Sequence, residues 1–450
     1  LQPGGARGLM AGIVRHREIA MPRLRTCLSA LLLACAFAAS ATPPGFDGRA
    51  GVARVDQARI DAALSGLVDS GQIVGVSALV WQDGREAYFG AFGLADREAA
   101  RPMARDTLVQ IFSMTKPVTG VALMQLYEQG RFGLDDPVAR YLPEFAATRV
   151  YGGTDAQGQP LLLEPRRPIT IRDLLRHTAG MAGGDAPEPV GGYYRAADPD
   201  NLDNTLEEAV RRMAGVPLLY QPGEQWLYSP AVDVQARLVE VLSGMPFGQY
   251  LQRHVFGPLK MKDTRYTLRP QDRPRMAALY RRSDDGVLTR IPDEQAYALN
   301  GRQRRLTPGS WGLVSSLDDY MRFARMLLGG GELDGVRVLQ PATVRLMATD
   351  ALPAAVGPGE RSWLPSKGQV GFGIDFAVRV APPADAEEAS GEVGEFFWDG
   401  VANTLFWVDP ANQLAAVLFA QWLPFGKVPL HKAFRDAVYA DDSSAAAPRP

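Results

Sequence analysis

One Ser-x-x-Lys occurs in the chain, Ser113-Met114-Thr115-Lys116, and its lysine belongs to a scarce residue type. Lysine stands only at 116, 260, 262, 367, 427 and 432, among 48 lysines plus arginines. Arginine supplies a permanent charge, because its guanidinium does not give up a proton in a protein. A buried lysine amine, by contrast, can be driven toward neutrality and accept one. A lysine three residues after a serine therefore points to proton chemistry on the serine hydroxyl.

Pro117 follows the lysine and precedes apolar residues at helical spacing, Val118, Val121, Ala122, Met124 and Leu126, ending near Gln129-Gly130. Proline is tolerated only in the first helical turn, where its missing N–H has no partner to lose. The spacing predicts a helix over 113–129 that begins around Phe112 to Met114. Ser113 then lies at the positive end of the dipole, with Lys116 one turn on and facing the same side. An amine within reach of a hydroxyl is how a weak nucleophile is activated. The alternative is an ordinary N-cap serine beside a surface charge.

Two further places have suitable residue types. Tyr228-Ser229 sits between the turn residues Gln221-Pro222-Gly223 and a helix from about Asp233, a junction that projects a phenol. Near cations a tyrosine can ionise below its free value of ~10 and serve as a general base; the alternative is a half-buried aromatic with its hydroxyl satisfied. Trp398-Asp399-Gly400 ends a strand, with Val401 next. A strand-end glycine admits close approach of another backbone, and an N–H beside it could share an oxyanion with the N–H of Ser113.

The elements that must position these residues follow from periodicity. A helix is expected over 52–68, then strands over 73–81 and 86–92 joined by Asp83-Gly84. The middle, about 130–345, reads as mostly helical, clearest over 171–177, 206–214, 233–243 and 316–328. Strands return over 371–380, 396–398, 404–409 and 414–421, a helix over 429–440 follows, and 441–450 reads as a disordered tail. The expected fold is α/β in the α+β sense: a central antiparallel sheet built from both chain ends, flanked by helices, with an inserted helical domain. The globular domain spans about 50–440.

Composition narrows the partners. With 46% hydrophobic and 22% charged residues and a net charge of −2, the chain has no basic footprint for nucleic acid. No apolar run reaches the ~20 residues of a membrane span. Residues 1–20 read as an over-extended start before Met21, and 21–41 as a signal peptide: a basic start, an apolar stretch and a small-residue site at Ala39-Ser40-Ala41. That implies a periplasmic or secreted protein. Leu32-Leu33-Ala34-Cys35 also resembles a lipoprotein box, which would make Cys35 a lipid anchor. Both cysteines, Cys27 and Cys35, fall in this segment, and the four histidines, at 16, 177, 254 and 431, lack ligand spacing, so no metal site or cofactor is expected.

Taken together, the chain resembles the serine β-lactamase and penicillin-recognising superfamily, in the branch of class C β-lactamases and their related family VIII carboxylesterases. The resemblance covers about 55–435. It rests on the ordered blocks Ile111 to Lys116, Pro168 to Gly180, Gln221 to Ser229, Pro258 to Thr264, Gly312 to Tyr320 and Gly371-Phe372-Gly373. It implies that Ser113 is the acylated nucleophile, Lys116 its proton partner and Tyr228 a base, with the N–H groups of Ser113 and Val401 as the oxyanion hole. Trp398, Asp399 and Gly400 would line the substrate. Arg172, Asp173 and His177 look structural, with His177 on a helix.

Two departures bear on substrate. The third position of the family's Tyr-x-Asn is Pro230, and the first position of its Lys-Thr-Gly is Trp398. A substrate carboxylate would lose a charge-assisted contact, unless an arginine such as Arg379 replaced it; an uncharged ester would lose nothing. The first expectation is an exported carboxylesterase for small uncharged acyl esters, working through an acyl-enzyme. A β-lactamase or D-alanyl-D-alanine carboxypeptidase, and a catalytically silent binding protein, are the alternatives.

Overall fold

A two-residue turn opens the sheet: Asp83 and Gly84 both have positive φ, 51° and 77°, the backbone twist a tight hairpin requires. It joins β1 (Gly75–Gln82) to β2 (Arg85–Asp96), and β3 (Arg101–Pro102) pairs on the outer edge of β2. Five strands come from the other end of the chain: β4 (Val370–Phe372), β5 (Ala377–Arg379), β6 (Phe396–Gly400), β7 (Thr404–Asp409) and β8 (Leu414–Phe419). Together they form one eight-stranded antiparallel sheet in the order β4-β5-β6-β7-β8-β1-β2-β3. The two chain ends meet where β1 pairs β8, Ser77 opposite Phe419 and Gln82 opposite Leu414. This is a computed structural model, and it describes residues 55–361 and 364–440. The leader read at 21–41, both cysteines and the tail at 441–450 lie outside the described residues.

The helices that matter here are α1 (Gln57–Asp69), α2 (Thr115–Glu128), α3 (Ile171–Leu175), α4 (Leu206–Ala214), α5 (Ala231–Ser243), α6 (Leu317–Leu328) and α7 (Leu430–Tyr439). Every residue of β7 is buried, because both faces of the strand are covered. Phe406 meets Tyr320 and Phe323 of α6, while its neighbour Trp407 meets Phe434 and Tyr439 of α7. Adjacent strand residues point to opposite faces, so α6 covers one side and α7, packed with α1, the other.

The region read as one helical insertion over 130–345 contains α3 to α5 and also three hairpins, Val150–Thr154 with Pro160–Leu163, Tyr280–Arg282 with Leu288–Arg290 and Glu332–Leu333 with Val336–Arg337. Its last helix, α6, packs on the sheet instead. Following the Phe112–Met114 turn, α2 is buried at every position from Thr115 to Met124 and packs against α5. A helix apolar on all sides belongs inside a protein. No helix among the described residues is long and apolar enough to cross a membrane.

Candidate active site

Ser113 occupies a 3-10 turn, Phe112–Met114, that runs directly into α2. The turn is anchored on three sides: Ile111 N–H donates to Leu313 O (3.0 Å), Met114 N–H to Ile111 O (3.0 Å), and the Tyr320 hydroxyl to Met114 O (2.8 Å). Phe112 adopts φ 45°, a left-handed conformation costing roughly 1–3 kcal/mol for such a residue. Its side chain compensates by packing with Leu279, Ile291 and Ala402. No side chain caps either the turn or α2, so the Ser113 hydroxyl is not spent as an N-cap.

Lys116 is buried, 4% exposed. Its Nζ donates to Ser113 Oγ (3.1 Å) and to the Ser310 carbonyl (2.8 Å), and lies 4.5 Å from the Tyr228 ring centre. Burial lowers its pKa to about 8, against the opposing charges of Asp233, Asp375 and Asp399. Ser310 comes from 194 positions away. Gly309 lets that segment wedge in: a Cβ there would stand 2.4 Å from Val232 O and 2.7 Å from Ala236 Cβ. Asp233, in the first turn of α5, accepts from Ser310 N–H (3.0 Å) and Oγ–H (2.6 Å); burial raises its pKa to about 6. Asp375 lies against Gly120 of α2 and accepts from Gln235 (3.1 Å), and burial pushes its carboxyl well above the ordinary range. Sequence reasoning missed Ser310, Asp233 and Asp375; only the acidic first turn of α5 gave a signal.

Tyr228 stands beside this pair, and its state differs from the sequence expectation. Its hydroxyl is fully enclosed, within a cluster of Trp226, His177, Phe372 and Trp398. Burial pushes the phenol well above its ordinary value, and the charges of Asp399 and Asp375 push the same way. Hydrogen bonding with Ser113 and Trp398 offsets only part of this. The expected lowering by nearby cations is therefore reversed: desolvation dominates, and the phenol is neutral at rest. His177 is also not on a helix. α3 ends at Leu175, and His177 takes φ 56° with Nδ1 3.3 Å from Ser229 Oγ.

The end of β6 lies against the Ser113 turn. A Cβ on Gly400 would stand 2.5 Å from Ile111 O, so this glycine is what permits the contact. Val401 follows with its side chain exposed. Trp398 is buried, its ring 5.5 Å from Tyr228 and 5.4 Å from Phe372. The sequence expectation of an uncharged wall here needs correction, because Lys367 brings an ammonium to it from a distant turn. Its Nζ is ion-paired with Asp399 and lies 5.2 Å from the Trp398 ring centre. Arg379, the substitute considered from sequence, cannot serve: it is 1% exposed and held by Glu388 and Glu395. Among the described residues no cluster of three or more His, Cys, Asp or Glu is placed to hold a metal ion.

A serine hydrogen-bonded to a buried lysine at the head of a buried helix, beside the end of a central antiparallel strand, defines a serine hydrolase on a β-lactamase-like fold. Residues 60–440 match the beta-lactamase family, and the chain belongs to it. Esterase EstB of Burkholderia gladioli is 32% identical over 402 residues, covering 85% of this chain and 95% of its own. The structure of EstCE1, a hydrolase with promiscuous acyltransferase activity, superposes with a TM-score of 0.69 at 29% identity, covering 85% and 98%. The LovD6 mutant of simvastatin synthase from Aspergillus terreus gives 0.73 at 28% identity, covering 85% and 94%.

Proposed function

We propose that the protein is a carboxylesterase acting on small uncharged acyl esters through an acyl-enzyme on Ser113. One observation carries the reading: a buried amine with its pKa lowered to about 8 stands 3.1 Å from a serine hydroxyl. Neutral Lys116 takes the Ser113 proton as Oγ bonds to the ester carbonyl carbon. The oxygen of the tetrahedral intermediate is held by the N–H groups of Ser113 and Val401. Collapse breaks the bond to the alcohol, which leaves with a proton from the Lys116 ammonium, passed directly or through the neutral Tyr228 phenol. Water then attacks the acyl carbon, giving its proton to the amine, and the acid departs as Ser113 is reprotonated.

Support for an ester rather than a lactam comes from Pro230, which lacks the side-chain amide of the family's asparagine, from Trp398, which lacks the charge of its lysine, and from the likeness to EstB. A fluorophosphonate probe should modify Ser113, read by peptide mass. p-Nitrophenyl butyrate should turn over while nitrocefin does not. Nitrocefin turnover with an inert ester would favour the lactamase or peptidase alternative. Neither labelling nor turnover would leave a silent binding protein.

A further inference from the structure

The cavity beside the strand end bears on substrate polarity. It has a volume of about 250 Å³ and is lined by Lys367, Asp399, Asn403, Phe425 and His431 among others. Lys367 arrives on the short turn Leu364–Lys367 and lies 4.9 Å from the Phe425 ring centre as well as against Trp398. Its ion pair with Asp399 is nearly out of water, with side-chain exposures of 6% and 12%. Trp398 lies 5.5 Å from Tyr228, so two rings separate Lys367 from the Ser113 hydroxyl. The Asp399 charge is felt at both Lys116 and Tyr228.

The other cations around this cavity are also matched by acids: Arg379 by Glu388 and Glu395, Arg435 by Glu395, and Lys432 by Asp436. A carboxylate entering here meets Asp399 at short range in a poorly solvated place, and to reach the Lys367 ammonium it must displace a partner already held. Like charges brought together out of water repel strongly. An uncharged group meets no such barrier.

We propose that the Lys367–Asp399 pair is the specificity determinant of this cleft, admitting uncharged esters and rejecting esters with a carboxylate because Asp399 neutralises the only ammonium beside Trp398 among the described residues. This rests on the esterase reading and deepens it: polarity selection comes from a neutralised cation rather than from a missing one.

The quantity to measure is the ratio of kcat/KM for p-nitrophenyl hemiglutarate to that for p-nitrophenyl butyrate; absolute rates are free to fall. Asp399→Asn leaves the ammonium without its carboxylate and should raise the ratio at least tenfold. Lys367→Met combined with Asp399→Asn removes both charges and should return the ratio to within about threefold of wild type. An unmoved ratio in a folded Asp399→Asn protein, judged by thermal melting, overturns the inference. Should that single variant fail to fold, Lys367→Met alone decides: it leaves the Asp399 carboxylate without its cation and should lower the ratio at least tenfold, and an unmoved ratio there overturns the inference. Wild-type protein that is neither labelled at Ser113 nor active on butyrate would remove the esterase reading and this inference with it. Butyrate turnover with an unmoved ratio removes only the inference.

Discussion

Titration of the buried amine gives the sharpest test of the chemistry. Lys116 has its pKa lowered to about 8. At pH 7 roughly a tenth of it is then neutral, against about four parts in ten thousand for an amine at its ordinary ~10.4, a gain of roughly 200-fold in available base. The direction is fixed by which form works. The protonated amine cannot take the Ser113 proton, so kcat/KM should rise about tenfold per pH unit below pH 8 and level off above it. The assay is kcat/KM for p-nitrophenyl butyrate from pH 5.5 to 9.5, corrected for spontaneous hydrolysis. Asp233→Asn supplies the second half of the test. The Asp233 carboxylate raises the Lys116 pKa, so removing its charge should move the midpoint to lower pH, by on the order of one unit. A rate independent of pH between 6 and 9, or a midpoint displaced upward in Asp233→Asn, would refute a neutral Lys116 as base.

Two other outcomes follow from the geometry. Tyr228→Phe should cut kcat/KM by about 10²-fold through loss of one hydroxyl at the reacting centre, yet leave the pH midpoint in place, because the phenol ionises above the assayed range; a midpoint that vanishes with the hydroxyl would make Tyr228 the base instead. Gly400→Ala puts a Cβ 2.5 Å from Ile111 O and 2.3 Å from Thr404 Oγ1, so the strand end must shift; kcat should fall about 10²-fold with the oxyanion donors displaced, and wild-type kcat in this variant would remove Val401 from that role.

Much of the frame was legible in the sequence because its signals are local. Asp83-Gly84 specifies a hairpin by the φ values it tolerates, and proline after Lys116 limits where α2 can begin. Both chain ends carry strand patterns, which is enough to expect one sheet built from them. His177 was misjudged because the helical pattern over 171–177 does not show that the chain turns left-handed two residues past Leu175.

By itself the sequence determined that Ser113 and Lys116 share one turn of a helix, since three intervening peptide bonds and a proline decide that geometry. Tertiary structure alone decided their state and company. The lowered pKa of Lys116 and the raised pKa values of Tyr228 and Asp375 all follow from burial, which depends on what packs around a group and not on its neighbours in the chain. Lys367 meets Asp399 across 32 positions, and Ser310 meets Lys116 across 194. No periodicity carries such pairings, because they form only when loops of unrelated pattern are folded onto the same strand end and the same helix.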